Sequence, residues 1–269
     1  MSQVDYSGDI QSIQDMIDVI ETGLKDWTFS SPAARPWYRG QPHATPPIPG
    51  VFRDRYDEVG MTLMFRERAA IYGDVPARSG SIDEWLFLMQ HYGAPTRLLD
   101  WTESALVALF FSVNGRTASA HSTADDGAIW VLHPLQLNGL PGSIGEMLFP
   151  NTWSDHAGNV VRDNLREPFG IQSHPTELPI AVQATFGKTV MASQKSCFTI
   201  HGSRRDDFES LFQDSVLVSS GWFRKYRVPA GSKARIAEEL DNSGITRSLI
   251  FPSLEGLALE LKERFRARD

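Results

Sequence analysis

The chain has 269 residues, of which 41% are hydrophobic and 22% charged, ordinary values for a folded protein able to bury a substantial core. A formal net charge of -7 gives no overall basic field for nucleic acid, and a single cysteine, Cys197, excludes an internal disulfide and any multi-cysteine zinc site. No run approaches the roughly 18 uninterrupted apolar residues of a membrane span, and the opening MSQVDYSGDIQSIQDMIDVI lacks a basic stretch leading into an apolar core. A cytoplasmic protein of a reducing compartment, with no membrane association, is the expectation.

Residues 8–26 set Ile10, Ile13, Met16, Ile17, Ile20 and Leu24 at intervals of three and four among acidic residues, which predicts a helix packed on the core and makes 1–27 an N-terminal addition. Trp37 to Arg39 reads as a short strand, and PHATPPIPG, 42–50, as a loop stiffened by its prolines. Val59, Leu63, Phe65, Ala69 and Ile71 predict a second helix over 55–72; Ser81, with Asp83 and Glu84 behind it, predicts the capped start of a third over 81–91. Gly93 and Pro95 break that helix, Leu98 to Trp101 fits a short strand, and Thr102 or Ser104 can cap a following helix. That helix is apolar nearly all round as far as Val113, which predicts burial.

A polar linker, 114–127, leads to a strand over Ala128 to Pro134. Residues 135–178 are weakly patterned and rich in Asn, Gly, Pro and His, the mark of an irregular insertion or surface excursion. Strand-like runs return at Ile180 to Ala184, at Cys197 to Ile200 and from Trp222. A helix over 231–241 and a last one over Leu254 to Arg266, with Leu254, Leu257, Leu261 and Phe265 on one face, complete the chain. Strands separated by helices early and clustered late indicate an α+β fold.

Candidate chemistry gathers at element ends. In WYRGQP, Trp37 to Pro42, a guanidinium sits between an aromatic pair and a glycine, so Arg39 is either a fork for a phosphate or carboxylate at a strand end or an ion pair closing the core. Gln90, His91, Thr96, Arg97, Asp100, Thr102 and Glu103 crowd the breaks around the Leu98 strand, where binding groups tend to lie. The structural alternatives are a salt bridge between Arg97 and Asp100, capping by His91 and Tyr92, a core position for Trp101, and a helix-dipole role for Glu103. The seven histidines show no HExxH spacing, phosphate loops of the GxxxxGK or GxGxxG type are absent, and Cys197 falls inside an apolar strand pattern as a small core residue would.

WYRGQ, FLMQHYGAPTRLLDWTESALVALFFSV, QKSCFTIHG and GITRSLIFPSLEGLALELK together resemble the FRG domain, named for its Phe/Tyr-Arg-Gly motif, over most of residues 28–262. A more distant similarity to ADP-ribosyltransferases of the R-S-E type implies the chemistry. Tyr38, Arg39 and Gly40 match the strand end whose arginine holds the NAD phosphates and ribose side. Trp101 to Ser104, followed by Val107, Ala108 and Phe111, match the Ser-Thr-Ser strand end and its helix. Gln194, Lys195 and Ser196 stand where that family carries a glutamate on the nicotinamide ribose; this chain has none there.

The resemblance therefore implies a split, strongly bent ADP-ribosyltransferase-like sheet around an NAD cleft, in a domain spanning 28–269. NAD would be the co-substrate, with no metal. Tyr38, Arg39, Gly40, Gln90, Thr96, Arg97 and Thr102 are expected to contact it, Thr102 and Gln194 on the ribose or nicotinamide. His91, Asp100 and Gln194 are the expected reactive groups, with Asp100 or Glu103 supplying the carboxylate that the Gln194 position lacks. The acceptor would be a macromolecule, protein or RNA/DNA; FRKYR (Phe223 to Arg227) and HGSRR (His201 to Arg205) are either basic contacts for nucleic acid or solvated faces. A stand-alone enzyme of this kind resembles a toxin of a toxin-antitoxin or phage-defence system held by an antitoxin protein. The other readings are an NAD glycohydrolase using the same cleft and a non-enzymatic module that binds a nucleotide or a partner.

Overall fold

The computed structural model describes residues 4–31, 34–72, 82–114, 124–140, 148, 156–183 and 193–265. Its strands are β1 (Tyr6–Asp9), β2 (Trp37–Gln41), β3 (Leu98–Thr102), β4 (Gly127–Leu132), β5 (Ile180–Gln183), β6 (Ser196–Ile200) and β7 (Phe223–Val228). The helices are α1 (Ile13–Asp18), α2 (Gly50–Arg53), α3 (Glu58–Ala69), α4 (Ile82–His91), α5 (Ala105–Asn114), α6 (Pro134–Asn138), α7 (His156–Arg166), α8 (Phe208–Phe212), α9 (Val216–Ser219), α10 (Lys233–Asn242), α11 (Arg247–Ile250) and α12 (Leu254–Arg264). The fold is α+β, built on one open, bent seven-stranded sheet of order β1-β7-β4-β2-β3-β6-β5. All pairings are antiparallel except that of β1 with β7.

The sheet is split in its middle. β2 is in register with β4 along its whole length, from Trp37 opposite Leu132 to Gln41 opposite Ala128, and β3 likewise with β6, from Leu98 opposite Ile200 to Thr102 opposite Ser196. Between β2 and β3 the register holds only at Tyr38 opposite Thr102. Beyond that pair the strands diverge, so Arg39 to Gln41 face Leu98 to Trp101 across a gap in which the ladder bonds are not made.

α5 holds the split from beneath. Its apolar residues run all round, and Ala105, Val107, Ala108, Leu109, Phe110 and Val113 are buried, all six in a cluster with Ile10, Met16, Tyr38, Ile129, Tyr226 and Ile236. A Cβ added at Gly40 would stand 1.8 Å from the Ala108 carbonyl oxygen. The glycine of the YRG triplet is thus what lets α5 lie directly on β2. The opposite face carries Trp37, Leu99, Trp101, Trp130, Phe208, Phe212 and Phe223. Burying an aromatic of this size stabilises the fold by about 2–3 kcal/mol. α4 and α7 close the β5 and β6 side through Leu86, Phe87, Val161, Leu165 and Phe198.

Several expectations are corrected. The N-terminal segment is not one helix over 8–26: Tyr6–Asp9 is an edge strand, and α1 ends at Asp18 in a π-helical turn, Val19–Gly23. Residues 135–178 are not a surface excursion where described, since Leu137, Leu140, Val161, Leu165 and Phe169 are buried. The cap expected at Ser81 lies outside the described residues, as does most of the 114–127 linker. FRKYR offers no basic face. Lys225 is fully buried, 2.9 Å from Glu209, whose other contacts are Trp130 Nε1 and the Val4 amide; Arg224 donates to the Gly23 and Gly221 carbonyls, and Arg227 pairs with Asp9. In HGSRR, His201 is buried, Arg204 pairs with Asp206 at 3.1 Å, and Arg205 lies over the Phe52 ring. Among the described residues no helix is long and apolar enough to cross a membrane.

Candidate functional site

A cleft of about 900 Å³ opens where β2 and β3 part. That size suits a small-molecule or cofactor site. The diverging strands form its floor. Its walls come from the 42–54 segment with α2, the end of α4 with Gly93 to Pro95, the α5 residues Val107 and Phe111, the Gln194 turn, and Phe251 with Ser253. Tyr38, Arg39, Gly40, Gln90, His91, Thr96, Asp100, Thr102 and Gln194 all line it; Arg97 does not.

The alternation of β2 puts Trp37, Arg39 and Gln41 on one face. Trp37 is anchored in the core, and Arg39, half-buried, reaches into the gap. Its Nη1 donates to the Asp100 carbonyl oxygen at 2.6 Å, bridging the split, while its Nε donates to Gln41 Oε1 at 2.8 Å. Gln41 in turn donates to the Thr45 carbonyl at 3.0 Å, which ties the arginine to the proline-rich wall. These bonds fix the orientation of the guanidinium at the floor of the cleft.

Asp100 sits across the gap. Gln90 Nε2 donates to its Oδ2 at 2.8 Å, Thr96 Oγ1 donates to Gln90 Oε1 at 2.5 Å, and the Leu98 amide donates to Thr96 Oγ1 at 3.1 Å. This chain fixes the carboxylate at the floor of the cleft. Thr96 is 1% exposed and its hydroxyl serves that chain, so it positions the carboxylate through Gln90. Glu103, the other candidate carboxylate, accepts from Gln183 at 3.3 Å and does not line the cleft.

Arg97 is corrected from ligand contact to structural ion pair. It is buried, with Nε 2.9 Å from Glu58 Oε1, Nη2 2.5 Å from Glu58 Oε2 and Nη1 2.8 Å from Glu167 Oε2. Its partners are on α3 and after α7, and the salt bridge expected with Asp100 is not the one formed. Side chains alternate along β3, so Arg97 cannot share Asp100's face.

Thr102 and Gln194 meet at the end of β3. Thr102 Oγ1 donates to the Gln194 carbonyl at 2.6 Å and accepts from the Ser104 amide at 3.0 Å, which fastens the Gln194 turn to the start of α5. Gln194 Nε2 donates to the Ile250 carbonyl at 3.1 Å, drawing the 250–253 segment against the cleft. The next residue, Lys195, holds a left-handed backbone at φ 45, and its carbonyl accepts from the Glu103 amide at 3.1 Å. Tyr38 packs mainly on α5, and burial pushes its phenol pKa up. Burial likewise pushes the Cys197 thiol up, in keeping with a core cysteine.

Two aromatic pairs line the cleft unanticipated: Phe111 with Phe251, ring centroids 5.9 Å apart, and Phe87 with Phe198, 5.0 Å apart. They belong to different core clusters, so the polar floor has apolar surface on two sides. Gln41 was also passed over. Its signal was present in the period of two that sets it beside Arg39 in WYRGQ.

Fold and site together define an α+β protein with a ligand-sized cleft at a break in its sheet, floored by an oriented arginine and an oriented carboxylate. Residues 34–121 match the family model of the FRG domain; the matched segment runs from β2 through α5 and supplies both strands of the split. No curated protein and no solved structure matches the chain.

Proposed function

We propose that the cleft binds NAD and that the chain transfers ADP-ribose from it to a macromolecule. The observation that carries this reading is the split between β2 and β3, which gathers Arg39, Asp100, Thr102 and Gln194 in one cavity from segments far apart in sequence. A dinucleotide has two ring systems joined by a diphosphate; apolar surface on two sides of a polar floor is complementary to that form. Arg39 takes the diphosphate, with its orientation set in advance by Gln41 and the Asp100 carbonyl.

In the reaction an acceptor nucleophile attacks C1 of the nicotinamide ribose, the C–N glycosidic bond breaks, and its electron pair leaves with neutral nicotinamide. The proton of the acceptor passes to a base. Asp100, held by Gln90, stabilises the positive charge that builds on the ribose as the bond opens. His91, lining the same cleft, takes the acceptor's proton. Gln194 carries no charge, and its carbonyl and amide are engaged by Thr102 and Ile250, so it shapes the nicotinamide end.

The test is incubation with NAD labelled in its adenylate half together with cell lysate, counting label in the protein and nucleic-acid fractions and following free nicotinamide. Label transfer, lost in Asp100→Asn, is expected. Nicotinamide release without label would make water the acceptor, and no NAD consumption would overturn the reading. A toxin role rests on this activity: expression of the chain should arrest growth, and Asp100→Asn should relieve the arrest.

A further inference from the structure

α12 lies on the body through one side only. Gly256 is buried so tightly that an added Cβ would stand 2.1 Å from the Phe251 carbonyl oxygen, Leu259 is half-buried, and Glu260 accepts from the Ser248 amide at 2.9 Å. At 100° per residue the opposite side carries Leu254, Leu257, Leu261 and Phe265, the last continuing the helical hydrogen bonding with its amide 2.9 Å from the Leu261 carbonyl. These four side chains are 85%, 42%, 42% and 78% exposed. A stripe of about 16 Å, apolar throughout and turned to solvent, marks a contact surface rather than scattered surface apolarity.

We propose that this stripe pairs antiparallel with the same stripe of a second copy of the chain, about a two-fold axis. The pattern is close to a palindrome, so reversing the helix sets Leu254 against Phe265 and Leu257 against Leu261. The charges choose the direction. Glu255 and Lys262 are both exposed and stand two helical turns apart on one flank of the stripe. A two-fold antiparallel pair brings Glu255 of each copy beside Lys262 of the other, twice, whereas a parallel pair sets the two flanks on opposite sides of the interface and makes neither contact. The stripe begins one residue after Ser253, which lines the cleft, so pairing would brace that wall. This inference is independent of the proposed reaction.

Sedimentation of the full chain, whose monomer is 30.0 kDa, tests it. The mass should rise toward twice that value as concentration approaches about 100 µM, the range of a small, weak interface. Leu257→Glu with Leu261→Glu, both surface changes, should hold the mass at 30.0 kDa with an unchanged melting temperature. Glu255→Lys and Lys262→Glu should each weaken the dimer about tenfold, and both the double variant and an equimolar mixture of the two single variants should recover it. A wild-type monomer throughout, a dimer indifferent to the leucine changes, or charge reversals without mutual rescue would each overturn the pairing.

Discussion

Replacing Arg97 by methionine separates its structural role from a ligand role. The side chain is 1% exposed and holds Glu58 through two hydrogen bonds, at 2.9 and 2.5 Å, and Glu167 through one at 2.8 Å. Methionine fills most of the volume but leaves the Glu58 carboxylate, itself only 10% exposed, desolvated and without its counter-charge. Removing one partner of a buried pair destabilises by roughly 3–5 kcal/mol; Glu167 is more open to water and adds little. For a chain of this size that corresponds to a fall in melting temperature of roughly 10 °C. Calorimetry on Arg97→Met should find it, and adding Glu58→Leu, which removes the stranded charge, should recover more than half. A variant melting within about 2 °C of wild type, or one that keeps its stability while losing NAD, would refute the reasoning and return Arg97 to the cleft.

Two further predictions follow from the core. Gly40→Ala forces α5 away from β2, because the new methyl would stand 1.8 Å from the Ala108 carbonyl oxygen; a loss of roughly 3 kcal/mol or more is expected by urea unfolding, and a loss below about 1 kcal/mol would mean that α5 does not rest on that strand. His201 is fully buried, and burial, with Arg97's charge adding to it, pushes its pKa from 6.5 down to about 3. Below pH 6.5 the unfolded chain therefore takes up a proton that the folded chain refuses, so this residue lowers stability on acidification by up to about 1.4 kcal/mol per pH unit until its folded pKa is reached. His201→Gln should be less acid-sensitive than wild type between pH 7 and 5, and equal slopes would refute the assignment.

What the sequence revealed, and what it hid, follows from the range of the interactions. β2, β3 and α5 were legible because their signals are local: an aromatic strand leading into Gly40, a break at Gly93 and Pro95, and a helix apolar all round. β1 was not, because Tyr6–Asp9 has no apolar alternation and owes its place to β7, more than 200 residues away, where Asp9 meets Arg227. Arg39 and Arg97 looked alike as strand-flanking arginines. What separates them is Glu58 and Glu167, 39 and 70 residues from Arg97, which only the fold brings together. FRKYR read as a basic run for the same reason, since the partner of Lys225 stands on α8. The apolar face of α12 was read correctly from its spacing, but periodicity cannot say which face meets the core, and the close contact of Gly256 with Phe251 turns that face outward.

The most direct test of the account is titration calorimetry of NAD into the wild-type chain and into Arg39→Ala, with melting temperatures recorded for both. The account predicts saturable binding to wild type, at least tenfold weaker binding to Arg39→Ala, a charge-assisted contact being worth about 1.5–3 kcal/mol, and a melting temperature within about 2 °C of wild type. Absence of binding to wild type, or undiminished binding to Arg39→Ala, would contradict the claim that the split between β2 and β3 is a dinucleotide site with Arg39 as its anion clamp.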